Sequence, residues 1–249
     1  MSYEPLSYSK HGSLHLTRGT FFVFENQPCV PVSSVEAPRA ALDLPLAFAR
    51  TRRGLSLMAI LSLDSKDNAH IGPKGLWMGG YMPAVVRAHP FAVAYRGEKA
   101  AVLVDTQSDW LSENAGNPLF DAEGNPNTVL QNKIDLLRNQ APNPNRDNPV
   151  LQAIGASGVL KPWPATFEGL HQVDPRALGG LGAEDFLHLR DNNALPVLYA
   201  QLMSMPRINR VKNLARRKQK MSEKKRIDWK LSDDDILSFG DDLMDFDDE

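Results

Sequence analysis

Residues 45–61 read PLAFARTRRGLSLMAIL. Two apolar runs, 46–50 and 55–61, are separated by Thr51, Arg52, Arg53 and Gly54. Strand-sized apolar runs around a short polar break that contains glycine signal a β-hairpin. Residues 91–104 repeat the pattern: FAVAY and AAVLV surround Arg96, Gly97, Glu98 and Lys99. A hairpin can join only antiparallel strands, so the N-terminal half is expected to carry a largely antiparallel sheet.

Working outward, GTFFVF (19–24) is aromatic and β-branched and reads as a strand. Residues 83–89 read as a short helix, with Pro83 in its first turn and Pro90 ending it. The Gly-, Asn-, Asp- and Pro-rich stretch 116–127 reads as turns. Val129, Leu130, Ile134, Leu136 and Leu137 fit one face of a helix. APNPNRDNP (141–149) reads as a loop, and 150–156 as a short helix closed by Gly158. KPWP (161–164) is expected to be extended, and Asp174 before Pro175 to cap a helix. Residues 184–190 and 195–205 read as further helices, the second apolar enough to be buried. The order, strands first and helices after, predicts an α+β fold: an antiparallel sheet built from hairpins, packed with helices mainly from the C-terminal half.

The chain has 249 residues, 42% hydrophobic and 23% charged, which suits one main globular domain with extensions. Cys29 is the single cysteine, so no intrachain disulfide is possible, and it reads as a small buried hydrophobe. No apolar run reaches the roughly 18–20 residues of a membrane helix. Residues 1–10 lack the pattern of a secretory signal, so the expected compartment is cytoplasmic.

Candidate chemistry is sparse. Trp77, Gly79, Gly80, Tyr81 and Pro83 form a GxWxGGYxP-like stretch. Paired glycines permit positive φ or close backbone approach, so two readings stand: an aromatic ligand wall, or a tight strand-to-helix turn packed in the core. The stretch lacks the context of a phosphate loop. Trp163, between two prolines, either faces a partner or plugs the edge of the core. The six histidines form no metal-ligand spacing, residues 118–125 fail the calcium-loop pattern, and no nucleophile signature is present. No catalytic residue, metal or cofactor is therefore expected, although distant residues can still assemble into a site.

The formal net charge of −2 conceals a division. Residues 207–230 carry 11 Lys+Arg against 2 Asp+Glu, and residues 231–249 carry 9 Asp+Glu and no Lys or Arg. Ile208, Val211 and Leu214 at helical spacing give the first block a narrow apolar stripe beside a wide basic face. Arg207, Arg210, Lys212, Arg216, Arg217, Lys218 and Lys220 are candidate nucleic-acid contacts; the alternative is a solvated linker helix. The second block interleaves acids with Ile236, Phe239, Met244 and Phe246. It is expected to be disordered when free, and to dock a protein partner or mask the basic block. The expected boundaries are a loose N-terminus 1–12, a globular domain 13–206, a basic helix or linker 207–230 and an acidic tail 231–249.

One resemblance spans most of the chain. PLAFAR (45–50), GLWMGGYMPAVVRAHPFAVAY (75–95), PLFDAEGNPNTVLQ (118–131), LKPWPATF (160–167) and ALPVLYAQLMSM (194–205) occur in that order. Over about residues 10–210 the chain resembles the bacterial SapC family. The resemblance implies a non-catalytic role, structural or associated with surface layers, and a leaderless route to the cell surface. It supplies no catalytic or metal residues, and it leaves out the segment from about residue 212 onward.

Overall fold

The computed structural model describes residues 2–52, 54–63, 67–163 and 169–238, with side chains on the last helix described as far as Glu223. The fold is α+β. In chain order the elements are β1 (Tyr3–Pro5), α1 (Tyr8–His11), β2 (His15–Leu16), β3 (Cys29–Pro31), α2 (Ala37–Ala40), β4 (Leu46–Thr51), β5 (Gly54–Ile60), α3 (Ala84–Arg87), β6 (Phe91–Arg96) and β7 (Lys99–Asp105). There follow β8 (Leu111–Ser112), β9 (Asn117–Pro118), α4 (Thr128–Gln140), α5 (Pro144–Ala156), β10 (Leu160–Pro162), β11 (Leu170–Val173), α6 (Pro175–Gly179), α7 (Ala183–Asp191), α8 (Leu195–Ser204) and α9 (Ile208–Ser238).

Both hairpins form, with two-residue turns: Thr51 pairs with Gly54, and Arg96 with Lys99. Gly97 has φ +59°, the left-handed conformation such a turn requires. The hairpins belong to different sheets. β4 and β5 form the middle of a five-stranded sheet ordered β10-β11-β4-β5-β3, whereas β6 is the edge of a three-stranded sheet ordered β1-β7-β6. A third small sheet is ordered β8-β2-β9.

Leu46, Ala47 and Phe48 are all buried, because both faces of β4 are covered. Leu46 and Phe48 join the largest core with Leu44, Leu57, Ile154 and Leu198, while Ala47 faces a smaller cluster with Ile60, Trp163 and Leu170. A separate core gathers Phe91, Val104, Leu119, Leu130 and Leu137 under the second sheet.

Several expectations are corrected. The opening residues are ordered rather than loose: β1 pairs with β7, and His11 is buried. The 19–24 stretch is not a strand; Phe22–Phe24 form a 3-10 turn, and Phe21 N–H is taken by the Gly75 carbonyl. The 141–149 loop is largely helix. Asn143 caps α5 with its side chain, Pro144 occupies the first turn, and Pro149 lies within the helix. Asn127 and Asp174 cap α4 and α6 through their side chains. In α8, Val197, Leu198 and Ala200 are buried, but Tyr199 and Met203 are exposed. Helix α9 passes the expected boundary at 230 and continues to Ser238. Phe239, Met244 and Phe246 lie outside the described residues.

Candidate functional site at the root of the last helix

The GxWxGGYxP-like stretch is packed against polar groups that are far apart in sequence. Glu36, just before α2, is buried. Its Oε1 accepts a hydrogen bond from the Tyr81 hydroxyl at 2.7 Å and another from the Ala84 N–H at 2.6 Å. Arg87 Nη2 lies 3.8 Å from the same oxygen and donates to Gln140 Oε1 at 2.6 Å. The Arg87 guanidinium also sits 5.5 Å from the centre of the Tyr81 ring. Burial pushes the Glu36 carboxyl above its usual range, against the pull of Tyr81, the Ala84 N–H and Arg87. Burial and the adjacent Glu36 likewise raise the Tyr81 hydroxyl. The cluster ties α2 to α3 and the end of α4.

The glycines are needed for close approach. A Cβ on Gly79 would stand 2.5 Å from His70 Cδ2 and 2.8 Å from Trp77 Nε1. A Cβ on Gly80 would stand 2.5 Å from Asp43 Oδ2 and 2.8 Å from Arg210 Nη2. Neither glycine has positive φ. His70 is fully buried and stacks on Trp77, with ring centroids 4.9 Å apart. Burial lowers its pKa to about 4, the nearby Arg210 charge adding to that, so the imidazole is neutral at pH 7. Among the described residues no hydrogen-bond partner meets either ring nitrogen of His70 or Trp77 Nε1.

Helix α9 closes over this stretch. Arg210 pairs with Asp43, whose other oxygen accepts from the Tyr81 N–H at 2.7 Å. Lys218 reaches Glu25 at 3.2 Å and the Asn68 carbonyl at 3.3 Å. Val211 and Leu214 are buried with Ala69, beside Leu63 and Met78. The expected apolar stripe therefore docks the helix on the body. Lys212, Arg216, Arg217 and Lys220 remain exposed, as does Arg207 at the end of the preceding 3-10 turn. Lys212 and Arg216 line a groove of about 560 Å³ opposite Ser62, Asp67 and Ala69.

The structure thus brings together Trp77, Gly79, Gly80 and Tyr81, with Pro83 capping α3, and adds two cations from the basic block. Trp163 lies apart, plugging the core edge beside Ala47, Ile60 and Leu170. Glu36, Asp43, Arg87 and Gln140 carried no motif; only the fold makes them neighbours. Among the described residues no group of His, Cys, Asp and Glu could hold a metal ion, and no helix is long and apolar enough to cross a membrane.

The SapC family model matches residues 6–211. No curated protein and no solved structure matches the chain. The match takes in the GxWxGGYxP-like stretch, both hairpins and the first residues of α9, and it ends at Val211, so this chain belongs to the SapC family.

Proposed function

We propose that this SapC-family protein is a non-catalytic binding platform with a structural, surface-layer-associated role, and that its charged C-terminal arm is the element that recruits a partner. The observation that carries this reading is the way α9 is mounted. One face is anchored by Val211, Leu214 and the Arg210 and Lys218 ion pairs, while Lys212 and Arg216, beside the groove, and Arg217 and Lys220 stay exposed. An arm anchored in this way presents charge at a defined place instead of trailing at random. The family resemblance supports the surface-layer part, and the interleaved acids and apolar residues of 231–249 support docking to a protein.

The test is fractionation of source cells with recovery of bound partners, using the full chain and a chain ending at Met205. The reading expects the full chain with the cell-envelope fraction and partners lost on truncation. A full chain found free of the envelope and of any partner would overturn it.

A nucleic-acid-binding reading rests on the same four exposed cations. It expects binding to DNA or RNA that weakens linearly in log affinity with log salt, with a slope matching about four phosphate contacts. Substituting all four with Gln should weaken that binding and flatten its salt slope. Arg210 and Lys218 should contribute less, because carboxylates on the body already engage them.

A further inference from the structure

The outer edge of β6 is an unpaired strand edge beside a cleft. Leu6 N–H donates to the Val102 carbonyl at 2.9 Å, and Asp105 N–H donates to the Pro90 carbonyl at 2.9 Å. This parity means that alternate residues of β6, Ala92, Ala94 and Arg96, bond β7. Val93 and Tyr95 point their N–H and C=O groups the other way. Across the cleft, β5 has a similar free end. The Leu57 carbonyl accepts from the Val32 N–H at 3.0 Å, and Leu55, two residues earlier, faces the same way beyond the end of β3. Among the described residues no partner meets the backbone groups of Val93, Tyr95 or Leu55. The cleft holds about 510 Å³, and Val32, Leu57, Leu151, Val93 and Tyr95 line it. Asn145 Nδ2 donates to the Gly97 carbonyl at 3.1 Å, while the neighbouring Arg146 is held by the Ala141 carbonyl at 2.7 Å and by Asp147, an acid that itself lines the cleft. The two hairpin turns carry Arg52, Arg96 and Lys99 against Glu98.

A slot between strand edges, apolar along Val32, Leu57, Val93 and Leu151, polar along Asn143, Asp147 and Asn148, and with cations at the hairpin turns, suits an extended peptide with apolar residues on one face and acids on the other. This chain contains one. In MDFDDE, Met244 and Phe246 share one face of an extended strand, and Asp245 and Asp247 the other. We infer that this cleft receives, by strand addition along β6, the acidic segment 239–249 of a second copy of the chain. The inference rests on the arm being the interaction element. The reach of the chain favours a second copy. Beyond its anchor at Lys218, α9 continues to Ser238, a rigid rise of about 30 Å. The remaining segment spans at most about 36 Å fully extended, so returning to its own body leaves little length to pair. Reciprocal exchange closes a two-fold dimer.

Sedimentation equilibrium of the full chain tests this. The expected result is concentration-dependent dimerisation that an excess of synthetic peptide 239–249 reverses. The same peptide N-methylated at alternate residues, which lacks the strand's donors, should compete at least tenfold less well. Val93→Pro should weaken dimerisation at least tenfold with an unchanged circular dichroism spectrum, and Arg96→Glu several-fold. Replacing Lys212, Arg216, Arg217 and Lys220 with Gln should leave it within about twofold. The inference is overturned by a chain that is monomeric at all concentrations. It is equally overturned if N-methylation makes no difference to competition, or if dimerisation is lost with the four Gln substitutions. If Val93→Pro does not fold, the N-methylated peptide still decides.

Discussion

The two hairpins have nearly the same signature in sequence and opposite fates in the fold. β4–β5 gains a strand on each side, β11 and β3, and becomes the middle of the five-stranded sheet. β6–β7 gains β1 on one side only, leaving β6 at the edge. The difference is visible in burial. Leu46, Ala47 and Phe48 run buried without alternation, whereas β6 buries Phe91, half-buries Val93 and exposes Ala94. Apolar pattern and turn chemistry fix a local pair. What joins its edges depends on strands far away in the chain.

Substitutions can break that comparison. The largest effect is expected from Phe48→Ala, which empties a fully buried site in the central sheet and should cost about 3–5 kcal/mol by denaturant unfolding. Val93→Ala at the edge should cost about 1 kcal/mol. Equal losses would mean that the edge strand is as fully supported as the centre.

Acid should act on both halves of the molecule. His70 packs beneath the α9 root and His89 beside the second hairpin, and each has its pKa lowered to about 4, first by burial. The unfolded chain then takes up protons that the folded chain refuses. Stability should therefore fall as pH drops from about 6.5 to about 4, by roughly 3 kcal/mol for His70 alone. Glu36 has the opposite sign: its raised carboxyl favours the fold at low pH, and that contribution is lost as pH rises past the ordinary carboxylate range. Thermal melts of the wild type and His70→Phe between pH 4 and 7 should show a shallower acid slope in the variant. Identical slopes would remove His70 as a source.

Gly79→Ala and Gly80→Ala separate the two halves of the site. A Cβ at Gly79 meets the rigid rings of His70 and Trp77, so about 1–3 kcal/mol is expected. At Gly80 it meets the movable ends of Asp43 and Arg210, so the loss of stability should be smaller, with faster proteolysis within residues 207–223 as its signature. Asn127→Ala, which removes the side-chain cap of α4, should likewise cost only about 1 kcal/mol by denaturant unfolding.

The hairpins, the Asp174 cap of α6 and the family were legible because each depends on neighbours in sequence. Asn143-Pro144 carried the same cap-and-proline signal as Asp174-Pro175, and only the second was recognised. The abundance of Pro and Asn in 141–149 outweighed the cap, and Pro149 forgoes its hydrogen bond inside α5. GTFFVF failed for another reason. Its β-forming residues pair with no strand: Phe21 is held by the Gly75 carbonyl and the Trp110 ring. In the candidate site the glycines and aromatics were visible but their partners were not. Glu36 and Gln140, or Asp43 and Arg210, are joined only by the fold.

The mounting of α9 also has a mechanical side. Arg210 and Lys218 are two fixed points about 12 Å apart along one rod, and the described side chains past Lys218, from Gln219 to Glu223, are exposed. The rod extends about 30 Å past the outer point, so a sideways load at Ser238 turns about Lys218 and reaches Arg210 magnified roughly 2.5-fold. Arg210 holds Asp43, and Asp43 holds the backbone of Tyr81. A pull on the arm is thereby delivered to the closely packed glycine stretch of the body, as a wrench delivers torque to a bolt.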